Sequence, residues 1–242
     1  MQLKSEYLDK FYSTQLGNVT RKHIEEKILK KWKSVKGNNL LGLGYLKPWL
    51  KIFESSNTFF SAITEIEDKK KEIIKITKQT CIVEDTKLPF PDLSINRILI
   101  CHLLETTTQI DLLLHEMWRI MSGESKIILI VPNKLGFWCR NKNNPFGHGK
   151  SFTSFELNSL LLDHGFSDIK VDFCLFMPPS EKKYLLSESN RIERLGNKFL
   201  NIFGGIIFIE ASKNIYALPK ISVKILHSSK NLQATVSYRN LM

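Results

Sequence analysis

Residues 126 to 133 read KIILIVPN, and the five apolar residues Ile127 to Val131 constrain the fold more than any other stretch of the chain. Successive strand residues point to opposite faces, so an unbroken apolar run makes a strand that is apolar on both. Such a strand belongs in the middle of a sheet covered by helices on two sides, which is the setting of parallel sheets. The run is also far too short to span a bilayer.

Comparable runs recur. NLLGL (39–43), NTFFSAI (57–63), TCIVE (80–84) and SINRILICHLL (94–104) read as strands before it. DIKVDFCLF (168–176) and GGIIFIEA (204–211) read as two late strands. Between them lie helical patterns. TRKHIEEKILKKWK (20–33) places Ile24, Ile28, Leu29 and Trp32 on one face, with Thr20 as the expected N-cap. TQIDLLLHEMWRIM (108–121) repeats apolar residues at Ile110, Leu113, Leu114, Met117 and Met121, and Gly123 is expected to end it. TSFELNSLLLDHGF (153–166) has Thr153 or Ser154 as cap and stops at Gly165. EDKKKEIIKIT (67–77) fits neither pattern clearly. Short apolar strands alternating with helices predict an α/β fold around a mostly parallel sheet. Ligands of such sheets bind at the carboxyl ends of the strands, near the point where strand order reverses. The loop after NLLGL, residues 42–48, lies at such an end.

Bulk properties narrow the class. The chain has 242 residues and 43% apolar content, enough for one domain with a sizeable core. Cys81, Cys101, Cys139 and Cys174 form no C-x-x-C pair, which favours buried free thiols over disulfides or metal ligation; no metal is expected. The amino terminus, MQLKSEYLDKFY, is charged and lacks the apolar core of a secretory signal, so a cytoplasmic protein with no membrane span is expected. A net charge of +11 fits an anionic partner such as nucleic acid; lysines scattered along a lysine-rich chain give the same number.

In LGLGYLKP (41–48), Gly42 and Gly44 stand one residue apart. Taken alone they fit a tight turn as well as a cofactor loop. A dinucleotide fingerprint requires glycine at position 47, which is lysine. With the downstream residues the chain resembles the class I S-adenosylmethionine-dependent methyltransferases of the small-molecule, type 11 kind. VEDTKLPFPDLSINRILICHLLE (83–105) is similar to the family's G-D-A-x-x-L-P-F-x-D-x-S-F-D segment and the strand after it: Leu88, Pro89, Phe90, Asp92 and Ser94 match, as do His102, Leu104 and Glu105. HEMWRIMSGESKIILIVPN (115–133) resembles the family's E-x-x-R-v-L-x-P-G-G segment at Glu116, Arg119 and Gly123. In the glycine loop Gly44 matches the first glycine. Gly42 stands for the acid, and Leu46 and Pro48 for the other two glycines.

The resemblance implies a Rossmann-like, seven-stranded, mostly parallel sheet with an antiparallel end. Residues 35–218 would form the methyltransferase domain, 1–34 an N-terminal helical extension or lid, and 219–242 a tail. It also implies methyl transfer from S-adenosylmethionine, most simply to a small-molecule acceptor, with nucleic acid as another possible partner; a non-catalytic relative acting as an interaction subunit is the alternative. Gly42, Gly44 and Tyr45 would approach the methionine and ribose part. Glu65 stands near the end of the second strand, where Ile63 replaces the family's acid. Glu84 would meet the adenine amine with Asp85 beside it in the cofactor site, Leu88 and Phe90 would form the wall on the adenine face, and His102 would line the pocket or be a satisfied buried group. In 132–152, the long loop after the fifth strand, His148 lies between Gly147 and Gly149, an exposed setting suited to a general base or to an ordinary turn. Tyr12 would close over the cofactor or pack. Trp138 and MPPS (177–180) would shape an acceptor pocket or the core.

Overall fold

A computed structural model describes residues 5–56, 58–64, 80–84 and 86–214. Two helices lead, α1 (Ser5–Ser13) and α2 (Gln15–Lys31), followed by β1 (Asn39–Gly44), β2 (Thr58–Thr64), β3 (Thr80–Val83), β4 (Ile95–Cys101) and α3 (Ile110–Ile120). Then come β5 (Met121–Pro132), α4 (Ser154–Asp163), β6 (Ser167–Cys174), α5 (Lys183–Ser187), α6 (Ser189–Phe199) and β7 (Ile206–Asn214). The strands form one seven-stranded sheet in the order β3-β2-β1-β4-β5-β7-β6. The first five run parallel, and β7 pairs antiparallel with both β5 and β6. Strand order reverses between β1 and β4, and in open α/β sheets ligands bind at the carboxyl ends beside such a reversal.

The period-two pattern divides the core. Leu41, Leu43, Ile98, Ile100, Ile127 and Leu129 face α3 and α4, whereas Leu40, Leu99, Cys101, Ile128 and Ile130 face α1, α2 and Trp49. All are fully buried, as the KIILIV run requires. Cys101 and Cys174 are buried free thiols, and burial pushes both well up; Cys139 is also free and half-buried.

Two boundaries differ from the expectations. α2 begins at Gln15, capped by Thr14, whose hydroxyl accepts from the Gly17 amide at 3.0 Å; Thr20 lies inside the helix and donates to the Leu16 carbonyl. Leu29, expected on the packed face, is exposed. α3 stops at Ile120 rather than at Gly123, which lies within β5. There the Lys213 ammonium donates to the carbonyls of Trp118 (2.6 Å) and Met121 (2.7 Å), supplying a cation at the negative end of the helix. α4 follows expectation: Thr153 and Glu156 form a reciprocal capping box, and Gly165 adopts the left-handed conformation just past the end. The ambiguous segment 67–77 lies outside the described residues. Among the described residues no helix is long and apolar enough to cross a membrane.

Candidate functional site

β1 and β4 deliver their carboxyl ends side by side, with Gly44 in register with Cys101. Gly42 sits two residues earlier, inside the sheet between Ser61 and Leu99, so it contributes a strand position and not a loop. Gly44 has φ of 84°, and a Cβ there would run into the Cys101 carbonyl. That carbonyl accepts the Tyr45 amide at 2.9 Å. Glycine at 44 therefore lets the loop fold tightly against β4. A 3-10 segment, Lys47–Phe53, follows, with Pro48 in its first turn.

Tyr45 turns inward. Its ring is buried and stacks on Tyr12 (centroids 5.7 Å apart, planes 13° apart), and its hydroxyl donates to Asp9 of α1 at 2.5 Å. Lys47 pairs with the same carboxylate at 2.8 Å. Burial and the neighbouring Asp9 carboxylate push the Tyr45 phenol up.

His102, the first residue beyond β4, has φ of 58°, a left-handed conformation that costs a non-glycine residue energy and marks a site over-determined by its surroundings. Its Nε2 lies 2.8 Å from the Tyr12 hydroxyl and its Nδ1 lies 3.1 Å from Glu105 Oε1. Burial raises the Tyr12 phenol well above its ordinary range, so Tyr12 keeps its proton, which it donates to Nε2 in the tautomer that leaves that nitrogen bare. His102 then carries its proton on Nδ1 and donates to Glu105. Phe146 covers the imidazole at 4.6 Å between centroids, and Trp49 meets the edge of Tyr12 at 5.4 Å. The side chains of His102 and Glu105 are fully buried, and Glu105 Oε2 has no hydrogen-bond partner among the described residues.

The other predicted residues are spread more widely. Glu84 is exposed just beyond β3, while Leu88 is buried in the α3-side core and its amide donates to Glu116 at 3.0 Å. Leu88 thus packs inward instead of forming an open wall. Glu65 and Asp85 lie outside the described residues. His148 is half-buried, with its ring edge against Tyr7 (5.5 Å) and Nε2 2.8 Å from the Lys142 carbonyl. A carbonyl only accepts, so Nε2 holds the proton and Nδ1 of the neutral ring is the basic nitrogen. Tyr7 also borders a cavity of about 550 Å³, lined further by Lys10, Phe11, Thr14, Asn144 and Glu181. Trp138, read as a pocket or core residue, is fully buried and donates to the Met177 carbonyl at 2.7 Å. Phe146 carries no sequence signal for this site, and Glu105 is legible only as a strand-end match; its spacing of three from His102 is the available signal.

No protein-family model and no curated protein sequence matches the chain. Solved structures do. A S-adenosylmethionine-dependent methyltransferase of Thermotoga maritima, described as a possible histamine N-methyltransferase, aligns with a TM-score of 0.63 at 14% identity, over 87% of this chain and 95% of that one. One from Archaeoglobus fulgidus aligns at 0.59 and 19% identity, over 85% and 97%. A chain of the Haloferax volcanii complex between the Trm112 methyltransferase activator and a putative methyltransferase aligns at 0.59 and 11%, over 88% and 98%. The chain has the fold of the class I methyltransferases.

The residues can be tested against the cofactor that this fold implies. Glu105 offers a buried carboxylate oxygen that no described donor fills, which suits a cationic group. Tyr12 and Tyr45 stand against His102, the hydrogen-bond partner of Glu105. The donor set fits the methionine end of S-adenosylmethionine provided that Tyr12 withdraws.

Proposed function

We propose that the chain is a S-adenosylmethionine-dependent methyltransferase acting on a small-molecule acceptor, with α1 as a lid over the cofactor site. Glu105 carries the reading: a buried carboxylate at the strand-order reversal of a methyltransferase fold, with an oxygen that no described donor fills. A buried anion is costly unless a cation or donors reach it, and the methionine end of the cofactor carries both. When bound, the cofactor supplies a methyl group already activated by its sulfonium.

The chain's residues would do the rest. Gly44 closes the β1 loop onto β4, and His102 orients the Glu105 carboxylate. Glu84 and Asp85 would meet the adenine amine and Glu65 the ribose hydroxyls, while Tyr12 and Tyr45 exclude water when α1 is docked. The acceptor would occupy the cavity of about 550 Å³ beside Tyr7. His148, with Nε2 committed to the Lys142 carbonyl, would take the acceptor's proton on Nδ1.

Titration calorimetry of the full chain tests this. S-adenosylhomocysteine is expected to bind, more tightly to Tyr12→Ala and more weakly to Glu105→Gln. His148→Gln should leave that titration as it is. Absence of heat with either cofactor form at millimolar concentration, in both the native chain and Tyr12→Ala, would rule the reading out.

The Tyr12–Tyr45 stack also supports a second reading, a non-catalytic methyltransferase-fold subunit whose site is permanently filled. It predicts that Tyr12→Ala binds no better than the native chain.

A further inference from the structure

α6 is docked on the molecule by an unusual face. Its Glu193 carboxylate is buried and accepts the amides of Leu175 and Phe176, both at 2.9 Å, just beyond β6. One turn on, Gly196 lies against Phe176, whose ring occupies the place a Cβ would take. A carboxylate and a glycine, with half-buried Ile192 beside them, thus hold the helix, and its other large apolar residues, Leu195 and Phe199, are left on the outside. Leu195 and Phe199, four apart and so on one face, are 57% and 69% exposed. The chain continues directly into exposed Ile202 and Phe203. Asn133 donates to the carbonyls of Ile202 (2.8 Å) and Gly204 (2.7 Å), which draws the 133–137 turn alongside with its exposed Leu135 and Phe137.

These side chains come from segments held by buried hydrogen bonds, so their exposure is built into the fold and is not fraying. A monomer rarely leaves contiguous apolar surface of this kind without a partner. Charge identifies the partner. In segments 133–140 and 188–203 the exposed cations are Lys134, Arg140, Arg191, Arg194 and Lys198. The only acids there are Glu188, paired with Arg191 at 2.9 Å, and the buried Glu193; from α4, Glu156 reaches Lys134 at 3.5 Å. Arg191, Arg194 and Lys198 follow helical spacing beside Leu195 and Phe199, which gives α6 a basic stripe next to an apolar one.

We propose that α6 and the 133–137 turn form a docking surface for an anionic lipid bilayer, with Leu195, Phe199, Ile202, Phe203, Leu135 and Phe137 entering the headgroup boundary and the basic stripe lying on the lipid phosphates. An apolar face flanked by lysine and arginine is what an interfacial helix requires. Single-stranded nucleic acid would use the cations and aromatic rings, but gains nothing from the aliphatic Leu195, Ile202 and Leu135. The surface also lies at the functional edge of the sheet: Pro132, the end of β5, pairs with Ile206, the start of β7. Docking would hold the candidate site next to the membrane, whatever chemistry that site performs.

Co-sedimentation of the full chain with vesicles of phosphatidylcholine, with and without phosphatidylglycerol, tests the proposal. Binding is expected with the anionic vesicles, weakening as salt is added. The triple variant Arg191→Glu, Arg194→Glu, Lys198→Glu should reduce partitioning by roughly a hundredfold, given the contribution of each basic residue near an anionic surface. Leu195→Ser with Phe199→Ser should abolish it. All five positions are exposed, so both variants should keep the native circular dichroism and melting temperature. Three results overturn the proposal: no sedimentation of the native chain, folded variants that sediment as it does, or variants that lose only self-association or oligonucleotide binding in a chain that ignores vesicles.

Discussion

Gly44 shows how a single residue can look like a ligand loop and be required by packing. Its φ of 84° and the Cys101 carbonyl against its missing side chain explain the glycine without any cofactor. Gly44→Ala should destabilise the chain by at least about 1–2 kcal/mol from the left-handed conformation alone, with the collision adding to this. Urea unfolding measures it, and a midpoint unchanged from the native chain would contradict the assignment. The proposed site rests instead on the left-handed His102 and on the Glu105 oxygen that no described donor fills. His102 and Glu105 were both legible in CHLLE as family matches. That Tyr12 reaches His102 from 90 residues away was not, because a contact at that separation has no local pattern.

At the scale of elements, Arg119 of α3 organises the turn that carries the resemblance. Its guanidinium donates to the carbonyls of Leu88 (2.9 Å) and Phe90 (3.0 Å), to Asp92, and to both oxygens of Glu116. Arg119→Ala should cost about 1–3 kcal/mol, as one charged partner of several hydrogen bonds is lost. The side-chain bond from Arg119 lowers the Glu116 carboxyl below its ordinary value of 4.5. A carboxyl that titrates lower in the folded chain than in the unfolded one stabilises the fold above about pH 4.5 and loses that contribution as pH falls through the folded value. Thermal melts of the native chain should therefore drop at acid pH, and Arg119→Ala should drop less steeply over the same range. Parallel slopes would mean that the pair does not couple. LPFPD was readable as a turn from its two prolines, whereas the early end of α3 depends on Lys213, which arrives from β7.

For the whole molecule, the proposed lid predicts a pattern of hydrogen exchange. α1 is latched by Tyr12 to His102, by Asp9 to Tyr45 and Lys47, and by Tyr7 to the Lys142 carbonyl. Adding S-adenosylhomocysteine should alter exchange across Ser5–Ser13 and leave the β4–β5 core, buried on both faces, fully protected. Exchange in α1 that is indifferent to the ligand would exclude α1 as the lid. The helix over 20–33 was legible from its apolar spacing, but its capping was not. Thr14 competes with Thr20 for the helix start and wins because its hydroxyl meets a free amide of the first turn, whereas Thr20 is already inside the helix.

The sequence by itself determined the layered α/β architecture, the central position of KIILIV and the edge at which a site would form. Those follow from the alternation of side chains along strands and the period of helices, both local properties of the chain. Tertiary structure alone decided that Tyr45 faces inward, that Glu105 is buried with an oxygen no described donor fills, and that α6 leaves Leu195 and Phe199 in solvent. Each depends on residues far apart in the chain meeting in space: Tyr12 with His102, and Glu193 with the amides beyond β6. No periodicity in the sequence encodes such a meeting, because it is set by how whole elements pack.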